Sequence, residues 1–207
     1  MLIYGGLDNH DIILDDIWLL HLVYLKWERI KVTAPGLAYH SSTIVQEAGR
    51  MKSSVCKSKN DGSNKHNLKK DKVEGVYIFG GKEGNGCYSN QLRVLRVFNE
   101  KPEVVNILTH GVAPCPRISC SFKYCKDHNF CVVFGGKDIR ENIFKDIFLI
   151  TLETMKWIEV HVFNNLPKKT CEHSAVMFNP SKLIIFGGIN ESIYNGSDIY
   201  MINFGKY

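Results

Sequence analysis

The 207-residue sequence lacks long apolar runs and the short motifs of common catalytic sites. No segment approaches the roughly 18 consecutive apolar residues that a transmembrane helix needs. The first residues carry neither the basic nor the apolar region of a signal peptide. Gly-x-Ser-x-Gly and His-Glu-x-x-His are absent, and no stretch keeps helical periodicity over three turns. These absences favour a non-enzymatic protein with neither a membrane span nor a helical fold.

The sequence also lacks the even, regularly spaced set of cysteines that is typical of a disulfide framework. Its seven cysteines form an odd set with irregular spacing. Such a set favours a reducing compartment, and we expect a cytoplasmic protein. Zinc sites prefer tight C-x2-C pairs, and none occurs. Cys120 and Cys125, five residues apart on one predicted strand, would point to opposite faces. We therefore interpret the cysteines as small hydrophobic residues and predict neither a metal nor a cofactor.

The basic charge is confined to one insert, residues 46–72. This insert holds eight Lys and Arg against three acidic residues, a surplus equal to the whole chain's net charge of +5. The folded remainder is neutral, so nucleic-acid binding is not expected of it. Its Ser, Asn, Lys and Gly content predicts a disordered spacer. The alternative is a basic tether for RNA or an acidic membrane.

A repeat runs through the rest of the chain. Four apolar runs end in glycine pairs, at Gly5–Gly6, Gly80–Gly81, Gly135–Gly136 and Gly187–Gly188. Ten residues after the second glycine stand Asp16, Gln91, Asp146 and Asp198, each followed by another apolar run. Twenty-one residues after it stand Trp27, Pro102 and Trp157. A further segment then opens at His40-Ser, Cys120-Ser or His173-Ser.

Each apolar run is short, β-branched and aromatic-rich, and it is bounded by Gly, Asn, Asp or Pro, so each predicts a strand. One repeat then holds strands a (from the His-Ser), b (ending in Gly-Gly), c (after the Asp) and d (around the Trp). Without the insert the period is roughly 50 residues. The predicted units are about 1–36, 37–113, 114–166 and 167–207. The first lacks strand a and the last lacks strand d.

These marks resemble the kelch repeat family, whose blades are four-stranded antiparallel sheets around a central channel. The resemblance implies an all-β, kelch-type β-propeller, present as a partial arc of about four blades, two complete and two partial. It also implies that flanking sequence supplies the remaining blades. Cys120 and Pro102 depart from the family pattern, and the Arg that members often carry three residues before the His survives only as Arg117. Because His40 and His173 recur at one position, we interpret them as packing residues of strand a rather than as general bases.

The loops between strands b and c, together with the segments between strands d and a, share one rim of the predicted disc, and loops on a rigid scaffold are common binding sites. The predicted binding residues are Lys82, Glu83, Asn85, Tyr88, Arg117, Lys137, Asp138, Arg140, Glu141, Asn190, Glu191 and Tyr194. Arg and Tyr are favoured at interaction hot spots. The alternative interpretation is that these are ordinary solvated loops.

The predicted function is that of a protein–protein interaction scaffold that recognises a protein partner through this rim. The alternative is an accessory propeller domain of a larger enzyme, such as a phosphatase, a ubiquitin-ligase adaptor or an oxidase, with catalytic residues outside this chain. Fold alone does not fix function, so the identity of the partner is not predicted.

Overall fold

The computed structural model describes residues 1–46, 74–97, 101–162, 167–190 and 198–205. Except for its first residue, the predicted basic insert lies outside the described residues. No helix within the described ranges has the length and apolar character needed to cross a membrane.

The described chain forms four antiparallel sheets of three or four strands, in which the strands lie in sequence order, and one separate two-stranded ladder. The first sheet contains β1 (Leu2–Tyr4), β2 (Ile17–His21) and β3 (Lys26–Arg29). A two-stranded ladder of β4 (Leu37–Ala38) and β7 (Lys82–Glu83) leads into the second sheet, which contains β5 (Ser41–Val45), β6 (Gly75–Phe79), β8 (Leu92–Arg96) and β9 (Glu103–Asn106). The third contains β10 (Ser121–Cys125), β11 (Phe130–Phe134), β12 (Ile147–Thr151) and β13 (Lys156–Val160). The fourth contains β14 (Ser174–Asn179), β15 (Lys182–Phe186) and β16 (Ile199–Asn203).

The order of strands confirms the predicted fold class. Two sheets have four strands in the order a-b-c-d, and the first and last have three. Strand b of each sheet ends directly before its glycine pair, as with Phe79 before Gly80 and Phe134 before Gly135. A 3₁₀ turn, Lys126–His128, joins β10 to β11 and ends at Asn129, which is in the left-handed conformation.

Among the described residues, the core consists of three apolar clusters, each packed between two consecutive sheets. Tyr4 and Ile17 of the first sheet meet Ile78 and Leu95 of the second. The ring of Phe79 in the second sheet lies 5.2 Å from that of Trp157 in the third. In the same cluster, Tyr77 of the second sheet packs with Phe122 and Val133 of the third. In the remaining cluster, Phe134 and Ile147 of the third sheet pack with Leu183 and Ile185 of the fourth. Because each sheet covers the flank of the next, the sheets stand side by side and are not stacked as a two-layer sandwich.

The glycine pairs stand where neighbouring sheets meet. The N–H of Gly136 donates to the carbonyl of Thr170, which leads into the next sheet, at 2.9 Å. Gly135 has a φ of +65°, and a Cβ there would lie 2.4 Å from the same carbonyl oxygen. A side chain would therefore be both strained and obstructed at this position. The corresponding bonds from Gly6 to Leu37 and from Gly81 to Arg117 are also 2.9 Å long.

The repeated Asp residues make one kind of contact with the main chain and another with the side chain. Their main-chain carbonyls accept from the first glycine, as from Gly135 to Asp146 at 3.4 Å. Their side chains bind other side chains: Asp146 binds Arg117, Asp198 binds Lys168, and Asp16 accepts from Trp18 Nε1. The carboxylates therefore link strand c to side chains of their own sheet or of the segment entering it.

Candidate protein-interaction rim

One rim of the arc of sheets, here called the loop rim, carries the b–c loops 7–13, 82–88 and 137–143. It also carries the segments that lead into strand a of each sheet, here called the entry segments, at 37–40, 117–120 and 170–173. In the second, third and fourth sheets, main-chain bridges join the entry segment to the residues that follow the glycine pair, as between Leu37 and Glu83, Ile118 and Lys137, and Cys171 and Ile189. A second bridge, between Lys137 and Ile143, closes the loop on itself. The loop rim is therefore a set of short hairpins fixed by backbone hydrogen bonds.

The entry segments also bind one another from sheet to sheet. Tyr39, Ser119 and Glu172 occupy the same repeat position, and all three are left-handed, with φ between +53° and +58°. The N–H of Ser119 donates to the carbonyl of Tyr39, and the N–H of Glu172 donates to that of Ser119, each at 3.0 Å. These bonds fix the centre of the loop rim across three sheets.

Asp138, predicted to bind a partner, instead shapes its own loop. Its Oδ1 accepts the N–H groups of Arg140 at 2.8 Å and Asn142 at 2.9 Å, and its Oδ2 accepts from the Asn142 side chain. The Asn142 side-chain bond is the main reason that the pKa of Asp138 lies below its usual value. Asp8 accepts the corresponding two N–H groups in the first loop. The carboxylate therefore acts as a turn-forming acceptor.

Lys137 and Glu141, two further predicted binding residues, are paired with each other. Lys137 Nζ lies 2.8 Å from Glu141 and 3.8 Å from Glu172. The hydrogen bond to Glu141 raises the pKa of Lys137. The pair brackets the tip of the loop, and the charges of these two residues are therefore balanced within it.

Arg117 was predicted as an exposed binding residue, and that prediction is wrong. The side chain is fully buried. Its Nη1 and Nη2 donate to the two carboxylate oxygens of Asp146 at 2.6 and 2.8 Å, and Nη1 also donates to the carbonyl of Gly135. The guanidinium lies 4.2 Å from the centre of the Phe144 ring. An arginine with its donors engaged and its charge paired in the interior holds the third sheet together and does not face a partner.

Glu83 is likewise engaged, in an ion pair that the sequence analysis missed. Its carboxylate binds Arg93, a buried residue of β8 that also lies 3.4 Å from the Ser89 hydroxyl. The repeat does contain a signal for this ion pair. Arg93 stands two residues after Gln91, where the other copies have the aromatic residues Trp18, Phe148 and Tyr200.

The side chains that remain available on the loop rim are fewer than predicted, and they include residues that were not predicted. Arg140 and Asn85 are exposed. Ile139 is 65% exposed and Tyr39 is 50% exposed. An apolar residue in an otherwise polar loop, or before the His-Ser mark, was the signal for these two. The other predicted residues are placed as follows: Lys82, Tyr88 and Asn190 are half-buried, and Glu191 and Tyr194 lie outside the described residues.

His40 and His173 lie against aromatic rings at the base of this rim. The ring of His40 is 5.3 Å from that of Tyr4, and the ring of His173 is 5.3 Å from that of Phe134. Burial lowers the pKa of each histidine to about 4. Both are therefore neutral at pH 7 and pack as flat, largely apolar side chains.

The described cysteines lie in apolar surroundings or on the surface. Cys120 packs between the second and third sheets and Cys125 between the third and fourth, on opposite faces of their common strand. Burial raises the pKa of each thiol to about 11. Both side chains are uncharged at pH 7 and fill space in the core.

The rim opposite the loop rim also exposes apolar side chains. The turn between β2 and β3 exposes Leu22, Val23, Tyr24 and Leu25, each to more than 65%. The equivalent turn of the third sheet buries Leu152. This opposite rim is here called the turn rim.

Comparisons with known proteins agree with the geometry. A family model described as "KLHDC2/KLHL20/DRC7 Kelch-repeats domain" matches residues 65–207. The chain is 34% identical over 101 residues (45% of the chain) to the dynein alpha chain of the flagellar outer arm of Chlamydomonas reinhardtii, and 28% identical over 131 residues (56% of the chain) to the host cell factor homolog hcf-1 of Caenorhabditis elegans. It is 33% identical over 57 residues (28% of the chain) to acyl-CoA-binding domain-containing protein 5 of Arabidopsis thaliana. The matched segments make up only 2%, 17% and 9% of these relatives, respectively.

Proposed function

Because the chain belongs to the kelch-repeat family, we propose that it is a protein-interaction module whose loop rim binds a segment of a partner protein. The observation that carries this proposal is the 137–143 loop, which is rigid and yet presents two uncommitted side chains. Asp138 and the Lys137–Glu141 pair fix the loop, while Ile139 and Arg140 are exposed to solvent. A fixed loop loses little conformational entropy on binding.

The chemistry of these side chains indicates the kind of segment that fits. Arg140 offers planar donors that match a carboxylate, and Ile139 and Tyr39 offer apolar surface on the same rim. We therefore expect a partner segment with an acidic residue next to an apolar one. Cytoplasmic location remains part of this proposal. The alternative of an accessory domain of a larger enzyme stays a prediction that no described contact favours.

The test compares two double substitutions in affinity capture with the full chain as bait. Ile139→Ala with Arg140→Ala removes both side chains while leaving Asp138 and the Lys137–Glu141 pair in place. For a hot spot we expect a loss of partner affinity of at least about 30-fold. The matched control, Leu22→Ala with Val23→Ala, removes exposed apolar surface from the turn rim. We expect it to bind normally.

Two results would contradict the proposal. Equal recovery of every partner by the wild type and the loop-rim variant would show that the 137–143 loop makes no contact. Loss of binding by the turn-rim variant alone would place recognition at the turn rim. Arg117 is not a suitable probe, because its replacement would disturb the interior and not a surface.

A further inference from the structure

Strand a forms one edge of the second, third and fourth sheets, and these three edge strands lie side by side. β10 of the third sheet contacts both β5 of the second and β14 of the fourth. This row of edge strands is here called the inner wall. Because β10 has a described sheet on either side, its surroundings belong to junctions inside the chain.

Side-chain hydroxyls join the first two strands of the inner wall. The N–H of Phe122 donates to Ser41 Oγ at 3.0 Å, and the N–H of Tyr124 donates to Thr43 Oγ1 at 3.1 Å. Alternate N–H groups of an edge strand have no acceptor within their own sheet. The hydroxyls of β5 supply acceptors for two of these groups in β10.

Lys123 prevents the same contact at the next junction. Counted from the serine that opens each strand a, Lys123 holds the position of Thr43, and Met177 of β14 holds that of Tyr124. Cys125, two residues beyond Lys123, packs against the fourth sheet, and alternate residues of a strand share a face. Lys123 therefore faces β14. An ammonium group has no acceptor, so Lys123 cannot accept the N–H of Met177 as Thr43 accepts that of Tyr124.

The charge of Lys123 is also unpaired. The side chain is half-buried, and within the described part of the chain it takes part in no ion pair. Burial lowers the pKa of Lys123 below its usual value. This direction is that of an ammonium group that has lost water without gaining a carboxylate.

His173 adds polar atoms without a partner to the same junction. Both of its ring nitrogens are buried, and neither has a hydrogen-bond partner among the described residues. After burial, the charge of Lys123 is the second cause that lowers the pKa of His173, so the two side chains are near one another. A neutral imidazole carries one N–H donor. The junction thus gathers donors from a lysine, a histidine and the main chain.

From this excess of donors over acceptors we infer that the inner wall binds a small oxyanion, such as inorganic phosphate, between the third and fourth sheets. Lys123 supplies the positive charge, and His173 and the N–H of Met177 supply hydrogen-bond donors. Lysine is a common ligand of phosphate groups. The site uses neither Ile139 nor Arg140, so its test is independent of partner binding at the loop rim.

The test is the thermal unfolding midpoint of the full 207-residue chain, titrated with phosphate against chloride at equal ionic strength. At phosphate about tenfold above the dissociation constant, we expect the midpoint to rise by about 3 °C, because the anion binds only the folded chain. Lys123→Met should abolish this rise. It should also raise the midpoint in chloride, since it removes an unpaired, half-buried charge. Lys123→Arg keeps the charge and should keep the rise.

Two further variants define the site. His173→Phe retains a ring against Phe134 but removes the nitrogens, and it should reduce the rise. Lys156→Met removes an exposed lysine of β13 and should respond to phosphate like the wild type. Circular dichroism of all variants checks that they are folded.

The difference between variants is the decisive quantity, because phosphate also stabilises folded proteins without binding to a site. An equal rise in the wild type and Lys123→Met would overturn the inference, as would the absence of any rise in the wild type. Loss of the rise in Lys156→Met would indicate a general effect of surface charge and would likewise overturn it.

Discussion

Among single residues, Arg117 and Asp146 form an ion pair that is closed off from solvent on the arginine side. Replacing Asp146 by Ala leaves the buried guanidinium without its carboxylate. We expect the free energy of unfolding to fall by roughly 3–5 kcal/mol, since breaking a buried pair on one side leaves an uncompensated charge. Urea denaturation followed by tryptophan fluorescence measures this loss.

The fourth sheet provides the control for this prediction. Lys168 binds the equivalent carboxylate, Asp198, at 2.9 Å, and both side chains are exposed. Exposed pairs contribute little, because water solvates both partners well when they are apart. Lys168→Ala should therefore leave the urea midpoint almost unchanged. Equal losses in Asp146→Ala and Lys168→Ala would show that burial does not distinguish the two pairs.

Single residues also show where reading the sequence fails. Arg117 and Glu83 are chemically suited to binding, as the sequence predicts, but each already binds a residue of the same chain. Arg117 meets a carboxylate 29 residues away, and Glu83 meets a guanidinium ten residues away. Such pairings depend on how strands are brought together in space. A polar loop predicts that a segment lies at the surface, but it does not show which of its side chains bind other residues of the same chain.

Among secondary-structure elements, the junction between the third and fourth sheets depends on the absence of a side chain at Gly135. Gly135→Ala introduces a Cβ that would lie 2.4 Å from the Thr170 carbonyl oxygen, at a left-handed φ. The conformational strain alone costs about 1–2 kcal/mol. Because the obstruction adds to it, we expect a loss of at least about 2 kcal/mol, measured as a lower midpoint of thermal unfolding.

Gly84→Ala tests whether this loss is specific to the junction. A Cβ at Gly84 meets nothing within 4 Å, and its φ is not positive in the left-handed range. The substitution should leave the midpoint unchanged or slightly raised, since alanine restricts the unfolded chain. A Gly135→Ala variant as stable as Gly84→Ala would contradict the close approach at the junction.

The strands were the most predictable elements, because their determinants are local and repeat four times. The glycine pairs marked the ends of β6, β11 and β15, and the repeated offset correctly placed β9 next to Pro102 even though the tryptophan is missing there. The ladder of β4 and β7 was not predicted. Two residues pair with two others across a long sequence separation, and so short a segment has no periodicity to detect.

The molecule as a whole is a linear array in which each sheet contacts only its neighbours, so stability should differ along it. All five residues of β11 are buried, whereas all four of β3 are exposed and β16 alternates between exposed and half-buried residues. We expect amide hydrogen exchange to be slowest in β8 and β11 and fastest in β3 and β16. Uniform exchange in all four sheets would instead indicate a single cooperative unit.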